Sequence, residues 1–103
     1  MERQTKKDVY MIKFMWSTDD DSGYEIELYK NYNDAVKRFN EMIEDEKDPD
    51  FSWVSDAFAN GQFDDENYEL NYYTGTEYMY WSVSKCDDGN FYSTIILSKE
   101  CVK

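Results

Sequence analysis

Asn31-Tyr-Asn-Asp-Ala-Val-Lys-Arg-Phe-Asn-Glu-Met-Ile-Glu-Asp-Glu-Lys-Asp-Pro49 is the strongly helical passage of a chain otherwise made of short aromatic strands. Ala35, Val36, Phe39, Met42 and Ile43 recur at three- and four-residue spacing and share one stripe, while Lys37, Arg38, Glu41, Glu44 and Asp45 fall opposite. Asn31 or, one turn boundary later, Asn33 caps this helix, with Asp34 completing an approximate capping box. Asp48-Pro49 ends it, because the residue before proline is pushed out of helical dihedrals.

Outward from the helix the pattern changes period. Asp8 to Ser17 alternates with Tyr10, Ile12, Phe14 and Trp16 on one side and Val9, Met11, Lys13 and Met15 on the other, which predicts a central strand. The turn chemistry of Thr18 to Gly23 then leads into a return strand with Tyr24, Ile26 and Leu28 inward and Glu25 and Glu27 outward. After the main helix, a shorter one is expected from Phe51 to Ala59, with Phe51, Val54 and Phe58 on its buried face and Asn60-Gly61 as its stop. Three further strands are expected at Asn67 to Tyr73, Glu77 to Ser84 and Asn90 to Ser98, joined by hairpins at Thr74-Gly75 and Asp87-Asp88-Gly89.

The expected fold is therefore α+β: a largely antiparallel sheet of about five strands in ββααβββ order, with one main and one short helix on one face. Residues 1–103 form a single domain in this reading, with 1–7 and 99–103 as loose tails. The expected core is Tyr10, Ile12, Phe14, Trp16, Ile26, Leu28, Val36, Phe39, Ile43, Leu70, Met79, Trp81, Val83, Ile95 and Leu97.

Composition narrows function mostly by exclusion. The chain has no histidine, which removes the commonest general base, the Ser–His and Cys–His nucleophiles and the usual zinc sites. There is no Gly-rich phosphate loop, GxSxG or HExxH, so no catalytic residue and no cofactor are assigned, and the expectation is a non-enzyme. Asp19-Asp20-Asp21-Ser22-Gly23 invites a calcium-loop reading. With Gly23 as the sixth position, however, Thr18 is first and Tyr29 twelfth, so both end ligands are wrong and no metal is expected. Cys86 and Cys101 lack ligand spacing and are expected as free thiols. No apolar run is long enough to cross a bilayer, and the expected location is cytoplasmic.

Acidity and tyrosine are the positive signals. The net charge is −12, and the part from Ser17 to Asn90 alone carries −15, between flanks of +2 and +1. The aromatic share of 18% distinguishes the chain from disordered acidic sequences. Ten tyrosines exceed what so small a core can hold, so those opposite Trp81 belong at the surface, where tyrosine serves either strand formation or binding.

The hairpin from Val9 to Leu28, followed by Asn31-Tyr32-Asn33-Asp34-Ala35-Val36-Lys37-Arg38-Phe39 in an acidic, tyrosine-rich domain without histidine, resembles small phage and mobile-element proteins of the anti-CRISPR or anti-defence type. That resemblance implies an inhibitor acting inside a bacterial cell. The functional expectation is a binding protein whose acidic surface occupies the basic groove of a nucleic-acid-binding protein, such as a CRISPR effector, with no direct nucleic-acid or membrane contact. The contact residues expected are Asp19, Asp20, Asp21, Glu41, Glu44, Asp45, Asp64, Asp65 and Glu66, with Tyr78 and Tyr80 as anchors. The alternative is an interaction module that binds through an aromatic sheet face, its acidity serving solubility alone.

Overall fold

Asn31 begins the main helix in an extended conformation, and its side chain accepts from the backbone N–H of Asn33 and Asp34 at 2.8 and 3.3 Å. Two orphan donors of the first turn are thereby satisfied. Helix α1 (Tyr32–Glu46) buries Ala35, Phe39, Met42 and Ile43 of the stripe that the spacing predicts, Val36 is half-buried against the same core, and Pro49 lies just past the cap at Lys47.

The computed structural model describes the backbone of residues 7–102. Around α1 it places β1 (Lys7–Ser17), β2 (Ser22–Tyr29), a short 3-10 helix η1 (Trp53–Phe58), β3 (Tyr68–Thr74), β4 (Tyr78–Lys85) and β5 (Asp88–Val102). The fold is α+β, with all five strands in one antiparallel sheet of order β2-β1-β5-β4-β3. Ile12, Met79, Trp81, Val83, Ile95 and Leu97 form the sheet side of the core, and α1 with Val54 and Ala57 of η1 closes it.

Several expectations need correction. The second helix is 3-10 and starts two residues late, capped by Ser52, whose hydroxyl accepts from Val54 N at 3.1 Å. Its buried residues, Val54 and Ala57, are three apart, which matches the three residues per turn of this helix type, and Phe51 is left 68% exposed. The last hairpin turns at Cys86 and Asp87, not at Asp87-Asp88-Gly89, since Lys85 already pairs with Asp88. Past that pair β5 advances from Asp88 to Tyr92 while β4 steps only from Lys85 to Ser84, a bulge at the strand entry.

β5 also runs on to Val102, opposite Lys7. Residues 7 and 99–102 are therefore strand and not loose tail, whereas residues 1–6 and 103 lie outside the described residues. The side chain of Cys101 is outside them as well. Its backbone position, 13 residues along β5 from Asp88, puts it roughly 40 Å from the turn that carries exposed Cys86, far beyond disulfide reach.

The largest correction is in β2. Ile12 pairs with Glu27 and Tyr10 with Tyr29, so Glu25, Glu27 and Tyr29 share the core side of the sheet while Tyr24, Ile26 and Leu28 point away. Leu28 is 65% exposed and Ile26 48%, and neither joins the core. Two contacts hold this register. Arg38 of α1 donates to Glu27 through Nε and Nη2 at 3.1 and 3.4 Å, and the Trp16 ring lies over Gly23 so closely that a Cβ there would meet it at 2.7 Å.

The register also places Met11, Met15, Ile26, Leu28 and Ile96 on the side of the sheet opposite α1. Among the described residues no helix covers that side. Phe39→Ala should cost about 3–5 kcal/mol in urea unfolding, because its ring is fully buried. Leu28→Ala should cost less than about 0.5 kcal/mol. A comparable loss from both would contradict the outward orientation of Leu28.

Candidate functional site

One end of the sheet collects most of the expected acidic residues. Ser17 at the end of β1 pairs with Tyr92 near the start of β5, and Tyr68 at the start of β3 pairs with Lys85 at the end of β4. Glu46, in the last turn of α1, reaches Ser93 of β5. The β1–β2 turn, the end of α1, the segment leading into β3 and the β4–β5 turn therefore lie at the same pole. Segments 17–21, 45–66 and 85–91 hold three, eight and two acids against Lys47 and Lys85 alone. Both lysines lie over rings, Lys47 Nζ 4.9 Å from the Phe58 centroid and Lys85 Nζ 4.0 Å from that of Phe91.

The local geometry turns these carboxylates outward. Thr18 Oγ1 accepts from the N–H groups of Asp20 and Asp21 at 3.3 and 3.1 Å, which fixes the tight turn and leaves Asp19, Asp20 and Asp21 exposed. Asp64 organises its own loop, accepting from Glu66 N at 3.0 Å and Asn67 Nδ2 at 3.1 Å, and Asp64, Asp65 and Glu66 are exposed too. Glu41 and Glu44 lie on the wet side of α1, where Arg38 and Lys47 approach them at 3.7 and 3.5 Å, and Asp45 is half-buried. Tyr78 and Tyr80 are not with them. They lie toward the other end of the sheet on its uncovered side, in a cluster with Tyr73 whose ring centroids are 5.7–6.2 Å apart.

Glu46 belongs to this pole and is half-buried like Asp45, but its carboxyl reaches inward to the hydroxyl of buried Ser93. It stands in a cleft of about 400 Å³ between the end of β1, the C-terminal turn of α1 and the 49–53 loop, with Phe14, Trp16, Phe51 and Trp53 around it. Its Oε1 accepts from the hydroxyls of Ser52 at 3.0 Å and fully buried Ser93 at 2.8 Å. Burial pushes the Glu46 carboxyl above its ordinary range, the two serine hydrogen bonds oppose the rise, and the Asp45 charge adds to it. Glu27 ends on the other side of the balance. Burial raises it, but the hydrogen bonds from Arg38 and Tyr29 and the Arg38 charge outweigh that and hold it low.

Sequence reasoning grouped the acids by clusters and so passed over Glu46, one acid in a run of them. The available signal was its setting, a helix-terminal glutamate followed within seven residues by Phe51, Ser52 and Trp53. Compared with known protein families, curated proteins and solved structures, the chain matches none.

These opposite shifts predict opposite pH effects. A carboxyl raised in the folded state holds its proton more tightly there, so its contribution to stability declines as pH rises from the unfolded value through the folded one. Glu46→Gln should therefore raise the melting temperature at pH 7, with the gain vanishing near pH 4. Glu27→Gln should lower it at pH 7, by an amount that shrinks as pH falls through the Glu27 range. Thermal melts of the two variants across pH 4–7 check both signs.

Proposed function

We propose that the protein is a non-catalytic inhibitor that presents its acidic pole to the basic groove of a nucleic-acid-binding protein, in the manner of anti-CRISPR or anti-defence proteins acting in the bacterial cytoplasm. The observation that carries this is the convergence of the 17–21, 45–66 and 85–91 acids at one end, with the only two lysines there engaged by aromatic rings. The outer strands of a five-stranded sheet stand roughly 19 Å apart, a length of duplex DNA that carries about 11 phosphate charges. The net charge of those segments is of the same size, and a groove built for phosphates would attract it and associate quickly at low salt. Asp19, Asp20, Asp21, Asp64, Asp65 and Glu66 are the leading contacts, with Glu41, Glu44 and Asp45 flanking them on α1.

A second site on the same protein is favoured by the uncovered side of the sheet, where Met11, Met15, Ile26, Leu28 and Ile96 adjoin the Tyr73, Tyr78 and Tyr80 cluster. Exposed apolar surface of this kind marks contact with other proteins. Tyr78 and Tyr80 therefore belong to this second mode and do not anchor the first.

Salt separates the two. Partners captured from bacterial lysate on the acidic pole should elute as salt rises, since exposed charges are screened beyond about 8–10 Å near physiological ionic strength. Those held by the apolar side should stay. A partner released by salt should then lose bound duplex DNA on addition of the protein. Changing Asp19, Asp20, Asp21, Asp64 and Asp65 to Asn and Glu66 to Gln should weaken that displacement by about tenfold or more, a loss of at least ~1.4 kcal/mol. Unchanged displacement with an unchanged salt slope would overturn the groove-blocking function.

A further inference from the structure

We propose that the Glu46 cleft is a binding site for an organic cation, a guanidinium or alkylated ammonium group seated on the Glu46 carboxylate between aromatic walls. Phe14 and Trp16 stack at 5.3 Å on one side, and Trp53 and the largely exposed Phe51 lie on the loop side. Aromatic faces attract cations through their quadrupole, and the attraction grows when the site is partly desolvated. The cleft, about 400 Å³, has the size of a small-ligand pocket.

The polar floor has the matching sign. Ser52 and Ser93 both donate to Glu46 Oε1, which fixes the carboxylate, while Oε2 accepts no hydrogen bond among the described residues. A half-buried acceptor left open favours a charged donor that can reach it. Lys47 caps the C-terminus of α1, but its ammonium is turned away to Glu44 at 3.5 Å and to the Phe58 ring and does not line the cleft. Asp21 stands at the mouth, and no lysine or arginine lines the cleft. An anion would meet repulsion from every charged group there, and a neutral ligand would leave Glu46 unpaired. A metal ion is a poor match, since ring carbons cannot ligate it and no three acidic or thiol side chains converge among the described residues.

Two sources could supply such a group, a free small cation or an arginine or lysine side chain of a bound protein. The site stands independently of the groove-blocking function, because a free cation would fill it without any partner. Titration followed by Trp16 and Trp53 fluorescence and by calorimetry tests it, with N-acetyl-arginine amide, tetramethylammonium and an arginine-centred nonapeptide as probes and N-acetyl-glycine amide as the neutral control. At least one cation should bind saturably with a dissociation constant below about 10 mM, and the neutral control should not. Binding of the nonapeptide tenfold tighter than the amide assigns the site to a partner's side chain, and equal binding assigns it to a free cation.

Glu46→Gln keeps the acceptor for both serines but removes the charge, and should weaken binding about tenfold or more. Phe51→Ala, a change at a mostly exposed residue that spares the core, should weaken it several-fold. Glu44→Gln, exposed on the same helix, should stay within about twofold. The site is overturned if none of the cations saturates, if the glycine control binds as well, or if Glu46→Gln and Phe51→Ala bind like the parent protein.

Discussion

β5 is hydrogen-bonded along both sides, to β1 on one and β4 on the other, and the rest of the molecule depends on that double pairing. It is the last strand in sequence and the middle strand in space. Ile95 and Leu97 bring its core side against Ile12 and Met79 or Trp81 of the neighbours, and Phe39 and Ile43 of α1 complete the same cluster. The β1–β2 hairpin and the β3–β4 hairpin are each local, but nothing joins them into one sheet until β5 lies between them. Such pairings close long loops, and their entropy is spent before the core rewards it.

That architecture explains what could be read in advance. Helix α1 was legible along its stripe and, to within the choice between Asn31 and Asn33 as its cap, at its start, because capping and a 3.6-residue period are local properties of Asn31 to Glu46. Strand positions were legible from alternation. Alternation tells which residues share a side, however, and not which side meets the helix. In β2 the apolar set Tyr24, Ile26 and Leu28 looked inward by composition, yet Arg38 on α1 and Trp16 over Gly23 select the other set. The extension of β5 to Val102 was hidden for a similar reason, since Lys99 and Glu100 carry no strand signal of their own and are ordered by β1 beside them, with Lys99 Nζ 3.4 Å from Asp8. The acidic clusters were visible as sequence, but their convergence is a product of topology, and the Glu46 cleft is assembled from three segments.

Two kinds of surface result, and they answer to different conditions. At the acidic pole, many exposed carboxylates act over distance and respond to ionic strength. Within it, Glu46 acts at contact range from a setting where water is partly excluded, and retaining its charge there works against folding at neutral pH. A glutamine would satisfy Ser52 and Ser93 equally well. The carboxylate is thus better explained by what approaches from outside than by what it stabilises inside. On the uncovered side of the sheet Lys13 is the charge among Met11, Met15, Ile26 and Ile96, and contact there would be governed mainly by apolar area.

The antiparallel pairing of Lys7 with Val102 brings the first and last described strands out side by side at the end remote from the acids. Tension applied across these two positions would act perpendicular to the β1–β5 ladder and load its rungs one at a time, starting with the outermost. Opening would proceed as a zipper at low force, not as the simultaneous shear of many hydrogen bonds. Because β5 is the middle strand, the separation would divide the sheet into the β1–β2 hairpin and a three-stranded β3–β4–β5 piece. The sheet is in this way mechanically soft along the line through Lys7 and Val102, whatever its core contributes to stability.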